Sequence, residues 1–287
     1  MMTTIWAGLS IGAIYALVAI GYNITLVLTG VLNFAQGQFL VVGAFLGYWG
    51  LTQQGLPLPF VLLLAVIAGA LIAMLEERIA IRPLKGSKAH TELVTTLGFA
   101  AILSGIALAI WGSEPLRVSV VSTDTLTLLG GRVRMIELVV IALAVISAVA
   151  FHQWTNRTRL GLAGLARTED NEAATLRGID VRRLSILGFA IAGAFGAFVG
   201  VFAAQKTFAV FSLGMVLALK GFAAMAIGGI GNHYGALLGG LGVGLVEVFA
   251  ARYIGNDYGD IAVFVVLFAA LVFKPTGLLS RGEARLV

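Results

Sequence analysis

A chain of 287 residues that is 59% hydrophobic and only 11% charged, with a mean hydropathy of +0.99, departs from soluble composition, in which about 25% of residues are charged. That excludes a soluble globular domain and defines a polytopic membrane protein. The lack of cysteine excludes disulfides and thiolate chemistry, and the net charge of +5 matters less than where the basic residues lie.

The first apolar segment, near 5–28, follows Met1–Thr4 with no basic stretch before it and no convincing cleavage site after it. It reads as a retained span and not a signal peptide. At roughly 20 apolar residues per span, further spans are predicted near 34–51, 58–77, 93–112, 135–154, 184–204, 209–228, 234–251 and 259–273. The second and the last three are short or interrupted by glycine, as half-helices are. The expected fold is an all-α polytopic bundle of about eight or nine transmembrane helices, some broken or re-entrant. It forms one transmembrane domain over 1–287, with no room for a soluble domain.

The basic residues orient it. Arg78, Arg82, Lys85 and Lys88 lie in 77–90; Arg157, Arg159, Arg167, Arg177, Arg182 and Arg183 lie in 155–183; Lys274, Arg281 and Arg285 lie in the tail. Together they make up most of the Lys and Arg, which places these segments in the cytoplasm. Segment 113–134 is then outside, and counting back places the N-terminus outside too. Within it, "RVSVVSTDTLTLLGGRVRM" alternates around Gly130-Gly131 and predicts a short β-hairpin on the outer face. Trp6, Trp49, Trp111 and Trp154 fall near span ends, as in an aromatic belt.

Two stretches carry amides and glycines among apolar neighbours. "GVLNFAQGQF" at 30–39 holds Gly30, Asn33, Gln36, Gly37 and Gln38; "GGIGNHYG" at 228–235 holds Gly228, Gly229, Gly231, Asn232 and His233. Each is either a loop at a membrane surface or a helix break at membrane depth. Broken backbone is tolerated there only where protein or a water-filled cavity covers it. One break in each half is the pattern of a substrate pathway built from interrupted helices. Lys220 and Glu247 stand inside apolar stretches. Intramembrane charges of this kind are functional or paired, either with each other or by reaching a surface. Asp257 and Asp260 in "GNDYGD" read as solvated loop residues, and His90 and His152 as interfacial; with His233 they are too scattered for a metal site. Glycines at 188–200 and 239–244 read as helix-packing positions.

The segment 156–183, "NRTRLGLAGLARTEDNEAATLRGIDVRR", predicts a helix of about three turns. Thr168 would cap it, Glu169, Asp170 and Glu172 would lie in its first turns, Arg177 in its last, and Gly178 would end it. Ala163, Ala166, Ala173 and Ala174 keep its surface small, so a partner could approach closely. A joining helix between two spans reads equally well.

Here the sequence resembles a known family. Ala166-Arg167, Asp170, Ala173-Ala174 and Gly178-Ile179 are similar to the coupling segment of ABC-importer permeases of the branched-chain amino-acid type. Residues 8–45, 218–249 and "KPTGLLSR" at 274–281 resemble further blocks of the same family in the same order. Gln36 stands where that family commonly has His, and Gln38 where it has Glu. Both keep hydrogen-bonding capacity and remove a titratable group.

The resemblance implies a permease subunit of an ATP-driven importer in a bacterial inner membrane, with no catalytic residue and no cofactor of its own. It moves branched-chain or other hydrophobic amino acids inward by alternating access. ATP and magnesium would belong to partner ATPase subunits that dock on Ala166, Arg167, Glu169, Asp170, Ala173, Ala174 and Gly178. A second homologous permease, an outer substrate-binding protein and lipid complete the partners; nucleic acid is not among them. Urea, short amides and aromatic acids are carried by relatives in that family. A stand-alone secondary transporter or channel is the alternative, but it should show charged relay residues in several spans. An intramembrane enzyme would need a Ser/His or paired-Asp site at membrane depth, and none is present.

Overall fold

A computed structural model describes residues 1–84, 90–274 and 276–279. Lys85, Lys88, Pro275, Ser280, Arg281 and Arg285 lie outside the described residues, as does the side chain of His90. The helices are α1 Met2–Thr29, α2 Gln36–Gly47, α3 Leu58–Glu76, α4 His90–Trp111, α5 Met135–Arg157, α6 Arg159–Glu169, α7 Asn171–Leu176, α8 Val181–Thr207, α9 Leu213–Gly228, α10 His233–Tyr253 and α11 Tyr258–Phe273. A π-helical turn, Tyr48–Gln53, prolongs α2, and another, Glu77–Ile81, prolongs α3. Among the described residues six helical stretches are long and apolar enough to cross a membrane, and α9 and α11 are shorter apolar helices. The protein is an all-α multi-pass membrane protein with one small hairpin, as the hydropathy pattern predicts.

By packing, the chain divides into two compact units. The first comprises Met1–Asn23, Val121–His152 and Leu219–Val287; the second comprises Ile24–Val120 and Gln153–Ala218.

In the first unit, α1 and α10 approach backbone to backbone. A Cβ on Gly244 would overlap Gly12, and one on Gly240 would stand 2.5 Å from the Ala16 nitrogen. Small residues allow this approach where lipid supplies no hydrophobic drive for helix association. The hairpin pairs β1 Thr125–Leu128 with β2 Gly131–Arg134, Leu128 opposite Gly131. Its turn is Leu129-Gly130, both at positive φ (52° and 76°), the twist of a type I′ turn. The sequence placed this turn at Gly130-Gly131. Gly131 instead begins β2, because a Cβ there would press on the Met2 side chain at 2.8 Å. The Arg132 N–H donates to the Thr3 hydroxyl at 3.2 Å.

In the second unit, α8 carries a run of small residues against α2 and α3. A Cβ on Gly200 would overlap the Leu40 carbonyl, and one on Gly69 the Gly193 carbonyl. A cluster around Phe45, Ala107, Val118 and Ala204 closes on Trp111, whose ring stacks on Phe45 with centroids 4.5 Å apart.

The segment between α5 and α8 differs from expectation. It forms two helices, α6 and α7, instead of one helix begun at Thr168. Thr158 caps α6 by accepting from the Gly161 N–H at 3.1 Å. Thr168 lies inside α6. Asp170 caps α7, accepting from the Glu172 and Ala173 N–H groups at 2.9 Å each. A carboxylate that satisfies two orphan donors suits this role at a helix N-terminus. Glu169 therefore ends α6 and does not open α7. Gly178, at φ 85°, follows α7 as predicted.

Candidate functional site

The first break occupies 30–35. Helix α1 stops at Thr29, whose hydroxyl donates to the Thr25 carbonyl at 2.7 Å and accepts from the Val31 N–H at 3.1 Å. Gly30 follows at φ 71°, a left-handed turn that suits glycine. The Asn33 side chain then organises the restart. Its Oδ1 accepts from the Ala35 N–H at 2.8 Å, and its Nδ2 donates to Glu76 Oε2 at 2.7 Å. The Phe34 N–H donates to Thr96 Oγ1 at 3.3 Å, and Gln36 Nε2 to the Ala192 carbonyl at 3.1 Å.

The site is enclosed by protein: Asn33, Gln36, Glu76 and Thr96 are fully buried and Gln38 is 3% exposed. Three acceptor oxygens, Gln36 Oε1, Gln38 Oε1 and Glu76 Oε1, make no hydrogen bond within the protein. Each such buried orphan costs about 1–3 kcal/mol. Gln38 also lines a cavity of about 210 Å³ whose other walls are aliphatic and aromatic, among them Val41, Phe45, Ile72, Leu103 and Ala107. Gly37 lies inside α2 and not in the break; a Cβ there would overlap the Gly214 carbonyl.

The second break, at 229–232, is built differently. Helix α9 ends at Gly228, and Gly229 and Gly231 take φ 120° and 77°. Asn232 caps α10, accepting from the Tyr234 and Gly235 N–H groups at 3.0 and 3.2 Å, and its Nδ2 donates to the Leu279 carbonyl at 2.6 Å. Asn23, buried in α1, closes the loop from the other side. Its Oδ1 accepts from the Gly231 N–H at 2.9 Å and its Nδ2 donates to the Asn232 carbonyl at 3.1 Å. The Leu278 and Leu279 N–H groups donate to the Ile227 and Gly228 carbonyls at the end of α9.

The structure pairs Lys220 with Glu247 at 2.9 Å. Tyr15 joins them, donating to Glu247 Oε2 at 2.7 Å and accepting from Lys220 Nζ at 3.3 Å. Asp260 stands 2.6 Å from Lys220. It lies in the first turn of α11 and not in a loop, and its carboxylate, 65% exposed, still reaches that ammonium. Asp257 is the residue before α11.

Of the docking candidates, Ala166, Glu169, Asp170, Ala173 and Gly178 are exposed, and Ala174 is buried. Leu176 is 89% exposed, an apolar side chain left uncovered on α7. Arg167 turns inward. Its Nη1 donates to the Leu28 carbonyl at 2.8 Å and the Val181 carbonyl at 3.4 Å. Burial draws its pKa below the ordinary arginine value, while the carboxylates of Glu92 and Glu77 oppose that shift.

Sequence reasoning missed Asn23, Tyr15, Glu76 and Thr96. Glu76 sits beside Glu77 and Arg78 at the end of a span, where a boundary charge and a buried one read alike. Asn23 was visible as a lone amide in the longest apolar run.

A multi-pass bundle with two capped breaks, a buried amide-lined site and a short helical segment exposed between spans defines a membrane transport permease. The chain belongs to the family described as "Branched-chain amino acid transport system / permease component", which matches residues 4–271. It is 30% identical to the high-affinity branched-chain amino acid transport system permease protein LivH of Salmonella typhimurium, over 98% of this chain and 96% of that protein. It is 29% identical to BraD, described in the same words, of Pseudomonas aeruginosa, over 98% and 96%. LivM of Escherichia coli, also described so, is 26% identical over 95% of this chain and 69% of that protein. A solved structure, PsaBC from Streptococcus pneumoniae in complex with Fab, aligns with a TM-score of 0.49 at 15% identity, over 93% of this chain and 89% of that one.

Proposed function

We propose that this permease is the membrane subunit of an ATP-driven importer of branched-chain amino acids in the bacterial plasma membrane. The observation that carries the substrate class is the cavity of about 210 Å³ beside the first break: aliphatic and aromatic walls with one amide residue, Gln38, among them. Its volume lies below the range of about 300–1,000 Å³ for drug-sized ligands, as a small solute needs. Apolar walls suit a branched side chain, and the unpaired amide oxygen of Gln38 suits an ammonium donor. A neutral amide lining recognises weakly, so an outer binding protein would supply selectivity.

ATP hydrolysis, with its magnesium, belongs to partner ATPase subunits on the cytoplasmic face of 156–183, where Leu176 and the small Ala166 and Ala173 are uncovered. The similarity to both LivH and LivM supports a heterodimer with a second permease. The test is purification from native membranes followed by leucine uptake in proteoliposomes with internal or external ATP. Co-purification of ATPase chains and uptake only with ATP on the ATPase side is expected. Uptake driven by an ion gradient without ATP would overturn the importer reading in favour of a secondary transporter.

A further inference from the structure

Within the second unit, the last turn of α1 is finished by side chains from α6. A helix leaves its final carbonyls without intrahelical donors. Here the Val27 carbonyl receives the Thr168 hydroxyl at 3.0 Å and the Leu28 carbonyl receives Arg167 Nη1 at 2.8 Å. Gly164, one turn earlier in α6, leaves the room for this approach: a Cβ there would stand 2.8 Å from the Leu28 side chain. The same Nη1 reaches Val181, the first residue of α8. Glu77, which holds Arg82 at 3.1 Å, directly follows Glu76, the partner of Asn33. Two routes thus leave α6. One runs through Leu28 into Gly30. The other runs through Val181 into α8, whose Ala192 carbonyl holds Gln36.

We infer that Arg167, with Thr168, is the positioning element that carries movement of the docking segment into the break at 30–35. Arg167 is a latch on the permease side of the joint and is not part of the surface that meets the ATPase. A shift of α6 cannot occur without moving the last turn of α1 or breaking both hydrogen bonds. Gly30, at positive φ directly beyond, is where such a shift is absorbed. The inference rests on the importer reading, since it needs a driver outside the chain.

The test uses the complete purified complex in proteoliposomes, with Arg167→Gln, Arg167→Lys and Thr168→Val compared with the unchanged protein for ATPase content, ATP hydrolysis and leucine uptake. Arg167→Gln is expected to retain its ATPase chains and to lose uptake per ATP hydrolysed by about tenfold or more, the usual scale of a coupling free energy. Arg167→Lys, which keeps one donor, should recover part of that ratio. Thr168→Val should lower it less, and it carries the test if Arg167→Gln fails to reach the membrane. Hydrogen exchange at 31–35 should respond to ATP in the unchanged complex and not in Arg167→Gln. An unchanged uptake-to-ATP ratio, or loss of the ATPase chains from Arg167→Gln, would overturn the latch. If the unchanged protein itself carries no ATPase, the importer reading fails and not the latch alone.

Discussion

The two helix breaks use the same residue types and reach opposite ends. At 229–232 the amide of Asn232 has both its atoms engaged, and Asn23 and the 278–279 backbone satisfy the surrounding groups. At 30–35 Asn33 is equally well engaged, but the oxygens of Gln36, Gln38 and Glu76 are buried without partners. A finished polar network rigidifies a fold, and an unfinished one costs stability. Under the function proposed above, we read the second break as scaffold and the first as the one that offers hydrogen bonds to the solute.

The comparison can be broken most forcefully on the scaffold side. Lys220→Met removes the cation that Tyr15, Glu247 and Asp260 share, which leaves two acidic groups facing each other. A loss of about 3–5 kcal/mol is expected when one partner of a buried pair is removed. It should appear as reduced thermal stability in detergent and be partly restored by adding Glu247→Gln. Simple additivity of the two substitutions would show that the pair is not coupled.

A smaller effect is expected at Asn23. Asn23→Ala strips the Gly231 N–H and the Asn232 carbonyl of their partner, at about 1–3 kcal/mol for each group left buried. If the second break is scaffold, uptake per correctly folded molecule should stay near that of the unchanged protein. A much larger fall in uptake than in folded yield would make that break a functional one.

The smallest stability change is the most telling. Gln38→Met swaps an unsatisfied amide for an apolar side chain of similar length, and removing an unpaired buried polar atom is neutral or favourable. The melting temperature should hold or rise while leucine uptake falls about tenfold, a difference of about 1.4 kcal/mol. A drop in both together would show that Gln38 is a structural residue.

Much of this was legible in the chain. Span positions followed from hydropathy because helices are the only open-ended way to satisfy backbone in lipid. Both breaks were marked by glycine beside amide, and Gly178 ended α7 as its type suggests. What could not be read was partnership across the fold. Thr168 looks like a helix cap in sequence, yet its hydroxyl serves Val27 of another helix. Gly37 and Gly131 look like turn residues, yet each makes room for a neighbouring backbone. Asp260 looks like a loop residue, yet it lies in α11 and reaches Lys220. Which of the two breaks is unfinished depends on Asn23, Ala192 and Leu279, none of which lies near its break in sequence.

The closure of the second break sets a schedule for making the protein. Its loop is tied at one side by Asn23 in α1 and at the other by Leu278 and Leu279, which follow α11. Until synthesis has passed Leu279, the Ile227 and Gly228 carbonyls at the end of α9 lack these donors. Domains otherwise tend to fold N-terminal part first as they emerge. This part of the permease therefore closes only once Leu279 has been made, long after Asn23 is in place.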